Sequence, residues 1–199
     1  MIIVDVETTG TEPHKHSLLS IAAIDLSDPS RQFYEECRTW EGAHVDLDAL
    51  VYNGFTTEEI KDQSKKSDQE IVSDFLDWIQ PSSEHTLAGQ NVFFDRDFLK
   101  YTAERYHLNW PLAQRIVDLH SVCYAHMIER GVAPPIKNGH SALDSDSICD
   151  YVGLPKEVKP HRSAMKGAKW EAEAFQRLLF NKSLLEEFNK FPIPWISKN

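Results

Sequence analysis

The chain has only three cysteines in 199 residues, Cys37, Cys123 and Cys149, and they are scattered and odd in number. They supply no disulfide framework and no metal-ligand spacing, and they suit a reducing compartment, so the cytoplasm is the expected location. No apolar run approaches the length of a membrane span. No charged-then-apolar leader is expected either, because the first strand begins at Met1. Internal repeats and low-complexity segments are also missing. Basic residues are scarce, 21 Lys and Arg against 31 Asp and Glu, for a net charge of −10. That argues against an obvious nucleic-acid binder, which needs a local basic surface. It leaves room for a metal-assisted one, since acids that hold ions add to the negative count while the ions reverse it locally.

What is present is an ordinary globular composition, 41% hydrophobic and 26% charged, in a length that fits one domain. Residues 2–7, 18–25 and 32–38 read as strands joined by short turns, an expected antiparallel meander. A short helix is expected from Thr56, where a Thr cap meets acids in the first turn. Ser67-Asp-Gln-Glu70 is a capping box that opens a helix through Ile79, and Pro81 ends it. A brief strand at 86–91 precedes a helical pattern through Tyr106. A strand at 115–119 precedes another helix. The segment 131–139 reads as a loop. Helices are expected over 142–152, stopped by Gly153, and over 163–180. The proline-rich 191–195 suits a surface tail. Meander strands followed by helix-linked strands predict a mixed α/β sheet with helices on its faces.

Chemistry concentrates at the first strand, Met1-Ile-Ile-Val-Asp5-Val-Glu7-Thr-Thr-Gly10. Asp5 and Glu7 are two residues apart, so on a strand both point to one face. Two adjacent carboxylates repel unless a positive charge lies between them. Oxygen-only donors suit a hard cation, Mg2+ or Mn2+. The small, turn-forming Thr-Thr-Gly lets a ligand approach the backbone beyond the strand end. A second acid cluster, Gln90-Asn91-Val-Phe-Phe94-Asp95-Arg-Asp97, lies where a strand gives way to a helix. A third feature is Pro160-His161-Arg162, just before the last long helix, where an imidazole can take a proton near neutral pH. Asn91 is as well suited to capping the helix, and Asp118 either caps the next helix or borders the site. Glu171 and Glu173, on the last helix, could add an acid to the site, but read first as solvated or ion-paired. Tyr52 and Phe55 suit either local packing or stacking on a terminal base.

Taken in order, these motifs resemble the DEDDh 3′-to-5′ exonucleases, the family of the proofreading epsilon subunit, ribonuclease T and oligoribonuclease. The resemblance spans nearly the whole chain. It implies a ribonuclease H-like fold with a mixed five-stranded sheet, an exonuclease domain over 1–180, and a C-terminal helix and surface tail of the same domain over 181–199. It implies a two-metal hydrolysis with Mg2+ or Mn2+ at Asp5, Glu7 and Asp95. His161 would deprotonate the attacking water. Thr8 and Asn91 would contact substrate, a single-stranded or frayed 3′ end of DNA or RNA, with the Thr-Thr variant of the first motif leaning toward DNA.

One departure stands out. The family carries a fourth acid about five residues after the histidine. Counting from His161 puts Lys166 there, and counting back from Ala172-Glu-Ala-Phe puts Gly167 there. Either way a ligand is missing. The alternative expectation is therefore a catalytically impaired, 3′-end-binding protein on the same fold.

Overall fold

In a computed structural model that describes residues 1–156 and 163–196, a six-stranded mixed sheet lies between two groups of helices. Strand β1 (Ile2–Thr8) pairs antiparallel with β2 (Leu18–Asp25), which pairs antiparallel with β3 (Gln32–Arg38). The meander expected from the short turns is present. A two-residue strand, β4 (Lys66–Ser67), runs parallel to β3 at one edge. On the other side of β1, β5 (Leu87–Gly89) and β6 (Ile116–Asp118) are parallel to it, giving the order β4-β3-β2-β1-β5-β6. β4 is the sixth strand beyond the five expected. A small hairpin, β7 (Ile136–Lys137) and β8 (His140–Ser141), sits inside and just after the segment expected to be loop, turned by Asn138 and Gly139, both at positive φ.

The helices are α1 (Leu47–Asn53), α2 (Asp68–Ile79), α3 (Phe93–Arg105), α4 (Leu119–Glu129), α5 (Ser145–Val152) and α6 (Ala164–Phe180). The Ser67 capping box forms as read: its hydroxyl accepts from the Glu70 N–H, and Glu70 reaches back to the Ser67 N–H. α5 stops at Gly153, whose φ of 74° is left-handed. The helix expected from Thr56 is a single 3-10 turn, Glu59–Lys61, and in the described part of 181–199 the helical element is likewise one 3-10 turn, Glu186–Phe188.

The alternation of β1 decides what faces what. Ile2, Val4 and Val6 pack with Ile71, Phe75, Phe98 and Leu99 of α2 and α3. Ile3 points the other way, into a second core with α4, α5 and α6. Asp5 and Glu7 share the parity of Ile3, so the two acids emerge on the α6 side. Ala164, Ala168 and Ala172 recur every fourth residue on α6 and are fully buried, which lets the helix lie close to the sheet. Among the described residues no helix is long and apolar enough to cross a membrane.

Candidate active site

The site begins where β1 leaves its ladder. Pairing with β2 runs to Glu7 opposite Ser20, and the register then shifts between Glu7 and Thr8. Thr8 is buried, and its Oγ1 donates to the Gly10 carbonyl at 2.7 Å. Asn53 of α1 donates from Nδ2 to the Thr8 carbonyl at 2.8 Å. These two bonds fold the chain over the strand end and draw α1 to the same place.

Asp95 arrives from the opposite layer. Phe98 and Leu99 anchor α3 in the core, which holds the first turn of that helix against β1. The Val6 N–H donates to Asp95 Oδ1 at 2.9 Å. Burial, and after it the charge of Asp5, push the Asp95 carboxyl well above the usual range, with the Val6 N–H pulling it back. Asp118 adds a smaller push in the same direction. Of the two sequence readings of Asp118 the capping one is seen: Oδ1 accepts from Ser121 N at 3.2 Å at the start of α4, while Oδ2 is buried without a hydrogen-bond partner and Asp118 is not among the described residues lining the cavity that holds Asp5 and Asp95.

Asp5, Glu7, Thr8, Asn91 and Asp95 all line one cavity of about 900 Å3. His161 lies outside the described residues. Asn91 does not cap α3: the cap position is Val92, with no side-chain bond, and Asn91 sits exposed at φ 60°, a left-handed conformation that Asn tolerates. The rim carries Asp46, Asp48, Asp144 and Asp146, and among the described lining residues there is no Lys or Arg. Leu47 and Tyr52 of α1 flank the opening, 67% and 50% exposed.

The helix treats the two positions counted for the missing acid differently. Lys166 is exposed, whereas Gly167 faces the cavity. A Cβ at 167 would stand 2.0 Å from Asp5 Oδ2, so any side chain there displaces the Asp5 carboxylate. Glu171, one turn further on, is not solvated: it is 6% exposed and lines the same cavity. Glu173 faces away into a buried cluster with Arg177 and the tail. The i, i+4 relation of Gly167 and Glu171 was visible in the sequence, but which face of α6 meets β1 was not. Among the described residues no three His, Cys, Asp or Glu side chains stand close enough together to hold an ion in this arrangement. The donor set itself is all oxygen, the kind a hard divalent cation takes.

Comparisons with known proteins agree with this geometry. The exonuclease family model RNase_T matches residues 2–166. A 3'-5' DNA exonuclease Cap18 of Escherichia coli is 25% identical over 179 residues, covering 88% of this chain and 89% of that one. A ribonuclease T of Marinobacter nauticus is 25% identical over 206 residues, covering 97% and 86%. A PolC-type DNA polymerase III of Thermotoga petrophila is 24% identical over 164 residues, 77% of this chain, which spans only 11% of that polymerase's length. Among solved structures, the nuclease domain of 3'hExo, a DEDDh family member bound to rAMP, superposes with a TM-score of 0.67 at 14% identity, covering 92% of each chain. E. coli Exonuclease I in complex with a dA16 oligonucleotide gives 0.70 at 16% identity, covering 91% of this chain and 40% of that one.

Proposed function

We propose that this chain, which belongs to the exonuclease family, is a metal-dependent 3′-to-5′ exonuclease that hydrolyses phosphodiester bonds at the 3′ end of single-stranded or frayed DNA. The observation that carries the reading is the cavity itself: Asp5, Glu7 and Asp95 reach it from two layers of the fold, and no described basic side chain lines it. A phosphodiester would be repelled by such a wall unless cations offset it. The similarity to a 3'-5' DNA exonuclease over nearly the full length of both chains supports DNA, and the ribonuclease T relatives make RNA the alternative substrate.

The all-oxygen donor set suits a divalent ion, Mg2+ or Mn2+, with two ions expected, once its carboxylates draw together around the charge. When bound, such ions offset phosphate charge and favour both the attacking and the leaving oxygen. Asp5 and Glu7 supply donors from adjacent positions on one strand face. Asp95 is held against β1 by the Val6 N–H, so its second oxygen keeps its orientation. His161 accepts the proton of the attacking water. The Thr8 turn and Asn91 contact the terminal nucleotide. Cys37, Cys123 and Cys149 are buried and form no disulfide with one another, which suits a reducing cytoplasm, to which we assign the protein.

Gly167 favours a second reading, a protein that binds 3′ ends without cleaving them. The experiment separates the two: the full chain is incubated with 5′-labelled single-stranded DNA and RNA in Mg2+, Mn2+ or EDTA. A ladder shortening from the 3′ end, absent in EDTA and in Asp5→Ala, is the expected result. Tight binding of the oligonucleotide with no ladder in either metal would transfer the assignment to the second reading.

A further inference from the structure

Position 167 is where the family pattern would put a carboxylate, and in this fold it is occupied by the oxygens of Asp5. The Ala164-Ala168-Ala172 stripe brings α6 down on the sheet. At that spacing a Cβ at 167 would meet Asp5 Oδ2 at 2.0 Å and Asp5 Cγ at 3.0 Å. A side chain at 167 would therefore require the Asp5 carboxylate to shift from its present position.

One turn along the same helix face, the arrangement is complementary. Residues four apart on an α-helix lie on one side, about 6 Å further along the axis. Glu171 is in that position, buried, with its carboxylate directed at the seam between β1 and β5. The place to which it reaches is also cleared by a glycine: a Cβ at Gly89 would stand 2.8 Å from the Val4 carbonyl oxygen, 3.0 Å from Glu171 Oε2 and 3.3 Å from Val92 Cβ. Val4 directly precedes Asp5, and Val92 belongs to the segment that leads to Asp95. Two glycines from different elements therefore leave space, one for the Asp5 carboxylate under α6 and the other for the Glu171 carboxylate over β5. Glu171 lines the same cavity as Asp5, Glu7 and Asp95.

From this we infer that Glu171 is the fourth metal-binding carboxylate of the site, relocated by one helical turn from position 167. On this reading Asp5, Glu7, Asp95 and Glu171 form the ligand set, and the chain has moved a ligand instead of losing one. The inference rests on the metal-dependent reading above.

Titration of Mn2+ alone into the full chain, followed by calorimetry, tests it without reference to turnover. Glu171→Gln, nearly isosteric, is expected to lose one ion or to weaken Mn2+ binding by about tenfold or more, with its melting temperature in EDTA retained. Glu171→Asp, which withdraws the carboxylate by one methylene, is expected to fall between the two, and it serves also if the Gln variant fails to fold. Gly167→Asp is expected to weaken Mn2+ binding because it displaces Asp5. Unaltered Mn2+ binding in both Glu171 variants, with binding lost in Asp5→Ala, would overturn the inference and leave the metal-dependent reading standing. A gain in Mn2+ affinity from Gly167→Asp would also overturn it. If neither Asp5→Ala nor the Glu171 variants alters Mn2+ binding, the metal-dependent reading falls, and the inference with it.

Discussion

The backbone N–H of Val6 donates to Asp95 Oδ1 at 2.9 Å, a buried hydrogen bond between positions 89 residues apart. It joins the two acid motifs directly: the strand that carries Asp5 and Glu7 holds the carboxylate that α3 delivers. The bond also explains how Asp95 can be tolerated in the core beside a like charge.

Substitutions at Asp95 should therefore separate stability from metal binding. Asp95→Asn keeps an acceptor for Val6 and removes a charge that burial and Asp5 disfavour. Its melting temperature in EDTA is expected to equal or exceed that of the native chain, while metal-dependent cleavage falls by at least about a hundredfold, on the order of 3 kcal/mol in the barrier. Asp95→Ala leaves the Val6 N–H without its acceptor and is expected to lose about 1–3 kcal/mol of stability as well. Thermal melts of both variants in EDTA, beside single-turnover cleavage, read the two effects. An Asn variant as unstable as the Ala variant would contradict this role for the bond.

Tyr52 lies half-exposed at the mouth of the cavity on α1, a helix tied to the site by the Asn53–Thr8 bond. Base stacking on an aromatic ring contributes about 1–3 kcal/mol. Tyr52→Ala is expected to raise KM for a single-stranded oligonucleotide by at least about fivefold with kcat little altered, and Tyr52→Phe to behave like the native chain. Steady-state kinetics on all three proteins provide the check. A fall in kcat at constant KM would place Tyr52 elsewhere in the mechanism.

Arg177 is fully buried and holds the C-terminal segment in place. Its Nε donates to Glu173 Oε1 at 2.7 Å, and its Nη atoms donate to the carbonyls of Val152, Phe188 and Phe191 at 2.9, 3.1 and 3.0 Å. Glu173 Oε2 in turn accepts from the N–H groups of Leu184 and Leu185 at 2.8 and 3.1 Å. Removing one partner of such a pair strands a buried charge, which costs about 3–5 kcal/mol. Arg177→Met is expected to lower stability by that amount in urea denaturation. The Arg177→Met, Glu173→Gln double variant should recover part of the loss, since it no longer buries a lone carboxylate. A double variant less stable than the sum of the two single ones would refute the pairing account.

His126 makes stability depend on pH through the tail. Its Nδ1 is 2.8 Å from the Tyr151 hydroxyl, and its ring lies 4.6 Å from that of Trp195. Burial, then the Arg130 charge, hold its pKa below the ordinary value, while Glu129 acts weakly the other way. The unfolded chain therefore takes up the proton first as pH falls. The contribution is fully present above about pH 6.5 and is lost as pH drops from there toward the lower folded-state pKa. Melting temperatures measured between pH 7.5 and 5.5 should decline more steeply for the native chain than for His126→Gln. Equal slopes would remove His126 from the pH response.

Local signals were legible where a short stretch of chain suffices to satisfy itself. The Ser67 box and the Gly153 stop appear in the structure where the residues place them, because cap bonds are made within a few positions of the chain. The pairing of Asp5 with Glu7 on one strand face was legible for the same reason. α1 was not anticipated. Its cap residue Asp46 makes no side-chain cap bond, and Leu47 and Val51 point outward instead of forming a buried stripe. The reason for that helix is tertiary, the Asn53 bond to the Thr8 carbonyl, and nothing in residues 47–53 announces it.

By itself the sequence determined the nature of the site: oxygen donors at Asp5, Glu7 and Asp95, in an acidic chain whose motifs follow an exonuclease order. Those properties depend on side-chain chemistry and on a strand period of two, which are local. Only the tertiary structure decided which positions of α6 line the cavity. Lys166 and Gly167 differ by a fraction of a helical turn and Glu171 stands about one turn further on, and their access to the cavity depends on how α6 is rotated and how closely it lies on β1. Close packing of the alanine stripe sets both. It turns Lys166 to solvent, sets Gly167 against Asp5, and buries Glu171 in the wall of the same cavity.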